Sequence, residues 1–339
     1  LSVYVDDLMI QGMGIDPVRT GLKLAELAST LFFGVLEGVL ELPMAPDKLF
    51  LVGSSQAVAQ VAVPFLEPKG FQVKASLRQL GVEYSGPKKA AEDTLADRIK
   101  GFAKRVGKIR SLNLTRDSVG ARLVKTGGIP SMLHGVAVNG VNNTKLALAT
   151  RQAHAAVTRN GNPACPTASL LLHRTKYIHP WFKAHVDPIM AWAKQVYQGR
   201  FPTCEVRKAF RHAKASLLKS TAWTWQKVRS PAMAFLATAA RIGWKVPSHD
   251  RVVDATGRSI DLTTTGGPLV KRKVIRDVQT ALWQKLAEER NRTYGENPWD
   301  AVAAGVHDRV LLAELNGSRN GVLDQNEIAS LSSAMQGRG

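Results

Sequence analysis

Asp6 and Asp7 stand side by side in the opening stretch LSVYVDDLMIQGMG, between Val3, Tyr4 and Val5 on one side and Leu8, Met9 and Ile10 on the other. Two like charges in an apolar setting repel one another unless a cation or a proton sits between them. As a pair they are hard oxygen ligands, the kind that suits Mg2+ and phosphate chemistry. The ordinary alternative is a solvated Asp-Asp turn, because the pair falls where a two-residue hairpin turn fits between two apolar runs. The elements downstream decide between the two.

Asp16-Pro17 predicts a helix start, with Asp as N-cap and Pro in the first helical position. From Leu22 to Leu40 the apolar residues form one wide face, and the helix is expected to end near Leu42-Pro43. The run AELASTLFFGVLEGVLEL is interrupted by Glu26, Glu37 and Glu41, so it reads as a buried helix and not as a membrane span. A turn, APDK, leads to the short strand Leu49-Phe50-Leu51-Val52. SQAVAQVAVPFLEPKG then predicts a second helix, ended by Pro64 or by Pro68 and Gly70. FQVKASLRQLGVEYSG alternates as a strand pair with Gly81 at or near its bend. The order of elements is that of an α+β arrangement.

The 339 residues are 45% hydrophobic, which is enough for real cores and excludes a disordered chain. The net charge of +19 points to an anionic partner. Its distribution is uneven. Residues 1–48 hold three Lys and Arg against seven Asp and Glu, net −4, and the remainder holds 43 against 20, net +23. An acidic segment that could hold cations precedes a long basic one that could hold a polyanion. Cys165 and Cys204 lie far apart with no zinc-like spacing around them, so they are expected to be free thiols of a reducing compartment. With no signal peptide in view, the expected location is intracellular, nuclear or cytoplasmic, and no membrane is expected as partner.

YVDD on a hairpin, a long helix, a Lys-bearing turn and strand (PDKLFLV) and an LGV hairpin about eighty residues on together resemble the second half of a reverse-transcriptase palm. The resemblance covers residues 1–86. Residues 87–150, with ADRIKGFAKRVGKIRSLNL and GGIPSMLHGVAVNGV, resemble the helical thumb that follows the palm in polymerases of non-LTR retrotransposons. Residues 151–339 then form a basic, mainly helical C-terminal region. On this resemblance Asp6 would ligate both Mg2+ ions of a two-metal site, with Asp7 as its weaker partner. Lys48 would sit near the triphosphate and act as proton donor to pyrophosphate. Tyr4 and Val5 would lie under the primer terminus, and Leu80 and Gly81 would belong to the hairpin that grips the primer. The implied partners are an RNA template, a DNA primer and deoxynucleoside triphosphates. Such an enzyme also needs an upstream metal-binding aspartate and fingers. The hairpin would need strand residues before Leu1, so the sequence predicts a fragment, inactive by itself. The alternative from another class is a non-catalytic, basic nucleic-acid-binding protein.

Beyond residue 150 the stretch RFPTCEVRKAFRHAKASLLKSTAWTWQKVR is the strongest candidate for a nucleic-acid surface. It sets Arg207, Lys208, Arg211 and Lys214 among Phe201, Phe210, Trp223 and Trp225, with a single Glu205. Cations there would pair with phosphates while aromatic faces stack on bases. The competing reading is an amphipathic helix with its aromatics in the core and its basic side in water. TTTGGPLVKRK reads as a turn into a basic helix and not as a P-loop. NGSRNGVLDQNE lacks the acidic ligands of a calcium loop, and a helix-turn-helix is expected there.

Overall fold

The computed structural model describes residues 2–4, 7–10, 16–42, 44–45, 49–53, 55–66, 70–74, 76–79, 82–85, 93–115, 119–158, 165–173, 175–218 and 225–294. Two compact units divide the chain, residues 1–91 and 92–339. The described residues are 69% helical with few strands, an arrangement compatible with the α+β class. No described helix is long and apolar enough to cross a membrane.

In the first unit, β1 (Ser2–Tyr4) and β2 (Asp7–Met9) form an antiparallel hairpin with Ser2 opposite Met9, Val3 opposite Leu8 and Tyr4 opposite Asp7. Asp7 therefore opens the second strand. Pairing with Tyr4 draws Asp7 of the expected Asp-Asp turn into the ladder, and Asp6 lies outside the described residues. Helix α1 (Pro17–Ser29) starts as its sequence dictates: the Asp16 carboxylate accepts from the Val18 and Arg19 amides, at 3.0 and 3.1 Å. It continues as a π-helical segment over Thr30–Glu37, a widening that the apolar pattern does not announce.

Strand β3 (Phe50–Leu51) is followed by α2 (Gln56–Leu66), which runs through Pro64 and stops short of Pro68. Gly53 makes the sharp entry to α2 possible, since a Cβ there would lie 2.7 Å from the Ala59 amide. Strand β4 (Gln72–Val73) pairs with β3 in parallel, so Phe71–Val73 leaves the hairpin expected from the sequence and completes a β3–α2–β4 crossover. The hairpin proper is β5 (Ser76–Gln79) with β6 (Val82–Ser85), with Gln79 opposite Val82, and the expected bend at Gly81 lies outside the described residues. Ala25, Ala28 and Phe32 from α1 pack on Ala62 and Leu66 from α2, with Leu49 and Phe71 closing this small core. Alanine on both helices lets their backbones approach closely.

The second unit is built around α9 (Pro180–Gln198), whose inward row Trp181, His185, Ile189 and Trp192 meets α11 (Pro231–Arg241) and α12 (Gly267–Tyr294). Before it come α3 (Asp93–Thr115), α4 (Val119–Leu123), a π-helical segment over Val124–Gly128, α5 (Ile129–Met132), α6 (Val136–Asn139), α7 (Asn143–Val157) and α8 (Pro166–Leu171). Helix α10 (Thr203–Leu218) lies between α9 and α11 in the chain, and the hairpin of β7 (Arg251–Val253) and β8 (Ser259–Asp261) precedes α12. One continuous core runs from Ile99 to Leu282. No border falls at residue 150, because α7 straddles it and packs on both α3 and α9. The thumb-like region and the C-terminal region expected from the sequence thus share their interior.

Candidate nucleic-acid interface

The candidate residues fall in two places. In the first unit, the backbones of Tyr4 and Asp7 face one another at the end of the β1–β2 ladder. Asp6, Val5, Lys48, Leu80 and Gly81 lie outside the described residues. Asp6 and Asp7 are hard oxygen donors of the type Mg2+ takes. Among the described residues no group of three or more metal-ligating side chains occurs.

In the second unit, α10 sorts its residues by helical period. Val206, Phe210, Ala213 and Leu217 are buried, and Phe210 packs 6.3 Å from the Trp192 ring, which itself stacks at 5.4 Å on Phe235. Arg207, Lys208 and Arg211 are exposed on the opposite face, one turn apart, with Arg200 and Phe201 exposed just before the helix. Burial of Phe210 with the basic row in solvent is the amphipathic arrangement that the competing reading expects.

Two expected members leave that row. The Lys214 ammonium is half-buried and donates to the Val246 and Pro247 carbonyls, at 3.2 and 3.3 Å, so it closes the loop ahead of β7. Trp225 carries the Arg241 guanidinium at 3.6 Å from its ring centroid, and its other neighbours include Gly140, where a Cβ would come within 2.9 Å of the indole. Its ring is a packing surface for a half-buried arginine. Trp223 lies outside the described residues. Cations of α3 are spent similarly: Arg98 donates to the His134 carbonyl and Arg110 to that of Ala155.

Sequence reading missed the anchor under α12. Asp254 has a fully buried side chain; its Oδ1 accepts from the Thr256 amide and hydroxyl and the Arg258 amide, while Oδ2 faces Lys273 and Arg276. Burial works against ionisation, but these donors prevail and hold its carboxyl at about 2. The signal was the DATGR turn, with Gly257 at a left-handed φ of 83°. TTTGGPLVKRK is, as expected, a turn into α12. Beside its start an open groove of about 450 Å3 is lined by Met190, Lys194, Tyr197 and Gly267 among others. Cys165 and Cys204 are both free. NGSRNGVLDQNE lies outside the described residues.

Comparison with family models, with curated proteins and with solved structures gives no match.

Proposed function

We propose that residues 1–86 are the C-terminal half of a reverse-transcriptase palm, and that the chain belongs to a retroelement polymerase copying RNA into DNA. The observation that carries this reading is the YVDD hairpin, with Tyr4 and Asp7 as facing partners, followed by a long helix, a strand and a second hairpin in the order the resemblance implies. Asp6 would hold Mg2+ with Asp7 beside it, and Lys48 would protonate the departing pyrophosphate. The metal supplies activation of the primer hydroxyl and neutralisation of phosphate charge. The second unit would hold the nucleic acid, with Arg207, Lys208 and Arg211 on its phosphates. That same row is the observation favouring a second reading, a non-catalytic nucleic-acid-binding protein.

Primer extension on an RNA template separates the two. Joined in frame behind a palm strand bearing a further aspartate and behind fingers, the 339 residues are expected to extend a primer with Mg2+. In that longer chain Asp6→Asn removes nearly all activity without unfolding, and Lys48→Ala lowers it on the order of 10²-fold. An Asp6→Asn variant as active as its parent returns YVDD to an ordinary surface turn.

A further inference from the structure

Tyr177 has a left-handed backbone, φ 60°, one of two non-glycine residues so placed among those described. Its neighbours fix it there. The Thr175 amide donates to His173 Nδ1, Ile178 is wholly buried, and His179 Nδ1 accepts the Trp181 amide to begin α9. Between these anchors Tyr177 is 46% exposed. It is not loose: the ring meets Phe182 edge to face at 5.1 Å, and the Lys125 ammonium lies 5.9 Å from its centroid. A large aromatic kept at the surface on a strained backbone, where glycine would relieve the strain, signals a use for the ring.

The charge around it narrows that use. From residue 118 to residue 186 the chain has eight Lys and Arg and not one Asp or Glu. Lys125, beside the Tyr177 ring, and Lys176, its neighbour in the chain, are exposed. An exposed aromatic beside exposed cations fits a ligand that offers flat rings and anionic groups in alternation. A duplex hides the faces of its bases, and an acidic peptide offers charge without rings. Resting on the nucleic-acid reading above, we infer that Tyr177 is a stacking platform for an unpaired base of a single strand, with Lys125 and Lys176 taking the adjacent phosphates. It is a contact in the α8–α9 loop, separate from the row on α10.

The test is affinity of the full chain for an unstructured, end-labelled oligoribonucleotide at several salt concentrations, with thermal midpoints alongside. Tyr177→Asn keeps a left-handed backbone and deletes the ring; it is expected to weaken binding roughly 5- to 150-fold with the salt slope unchanged. Tyr177→Phe is expected to bind as the parent does. Should the Asn variant lose stability, Tyr177→Leu keeps an apolar contact with Phe182, lacks the flat face and carries the same expectation. Lys125→Ala is expected to reduce the slope instead. Parent-like binding by the folded Asn or Leu variant overturns the platform alone, as does an equal loss on a duplex or on polyglutamate. No binding by the parent chain overturns the nucleic-acid reading and this inference with it.

Discussion

His179, the N-cap of α9, and His185 within it are both fully buried, and each is held in one tautomer by the backbone of that helix. Nδ1 of His179 accepts from the Trp181 amide, and Nδ1 of His185 donates to the Trp181 carbonyl at 2.7 Å while its ring stacks 4.8 Å from the indole. The nearest charges are cations, Lys285 toward His179 and Arg241 toward His185. Burial first, and those cations second, lower both imidazoles to about 3. Arg241 is itself lowered by burial to about 9 and stays charged at neutral pH. In the unfolded chain the two histidines titrate near their ordinary 6.5, so between pH 6.5 and 3 the unfolded state binds more protons. Stability is then fully present above pH 6.5 and is lost as pH falls. Between pH 7 and pH 5 the loss is about 2 kcal/mol for each histidine. Urea unfolding at those two pH values measures it, and equal midpoints would mean that the rings are not held neutral.

At the scale of elements, α10 shows what a sequence carries and what it does not. Its buried row repeats with helical period and is legible locally, as are the Asp16-Pro17 start of α1 and the β5–β6 hairpin. The partners of Lys214 are 32 and 33 residues away and those of Trp225 include Arg241, so no local pattern announces either contact. The same holds for β3 and β4, two residues each, whose parallel pairing is decided by the helix between them. Composition marked α10 as basic, but only the fold separates cations facing water from cations bound to carbonyls. The two kinds are expected to answer mutation differently. Replacing Arg207, Lys208 and Arg211 together by Ala should weaken single-strand binding and lower the log–log salt slope by about 2, at about 0.7 for each phosphate contact. Stability should stay within about 0.5 kcal/mol. Lys214→Ala should do the reverse, costing about 1 kcal/mol of stability with the slope intact, because it strips two carbonyls of a donor. Calorimetry and titration of both variants decide the assignment.

For the whole molecule the governing quantity is where charge resides. Residues 1–91 hold eight Lys and Arg against nine Asp and Glu, close to neutral, while residues 92–339 hold 38 against 18. Thus nearly all of the +19 belongs to the second unit, and the hairpin with its carboxylates belongs to a unit that offers a polyanion little attraction. Such a division suits a protein in which one part holds nucleic acid by its phosphates and another presents carboxylates to a cation. Phosphate contacts release counterions, so affinity should fall as a power of salt concentration and depend little on sequence. With roughly six contacts on a single strand the slope is near −4, and raising KCl from about 50 to 200 mM should weaken binding on the order of 10²-fold. Fluorescence titrations with oligonucleotides of unrelated sequence should give affinities within a few fold of one another at each salt concentration. An affinity flat in KCl, or one that singles out a particular sequence at every salt concentration, would show that the positive second unit acts on something other than a phosphate backbone.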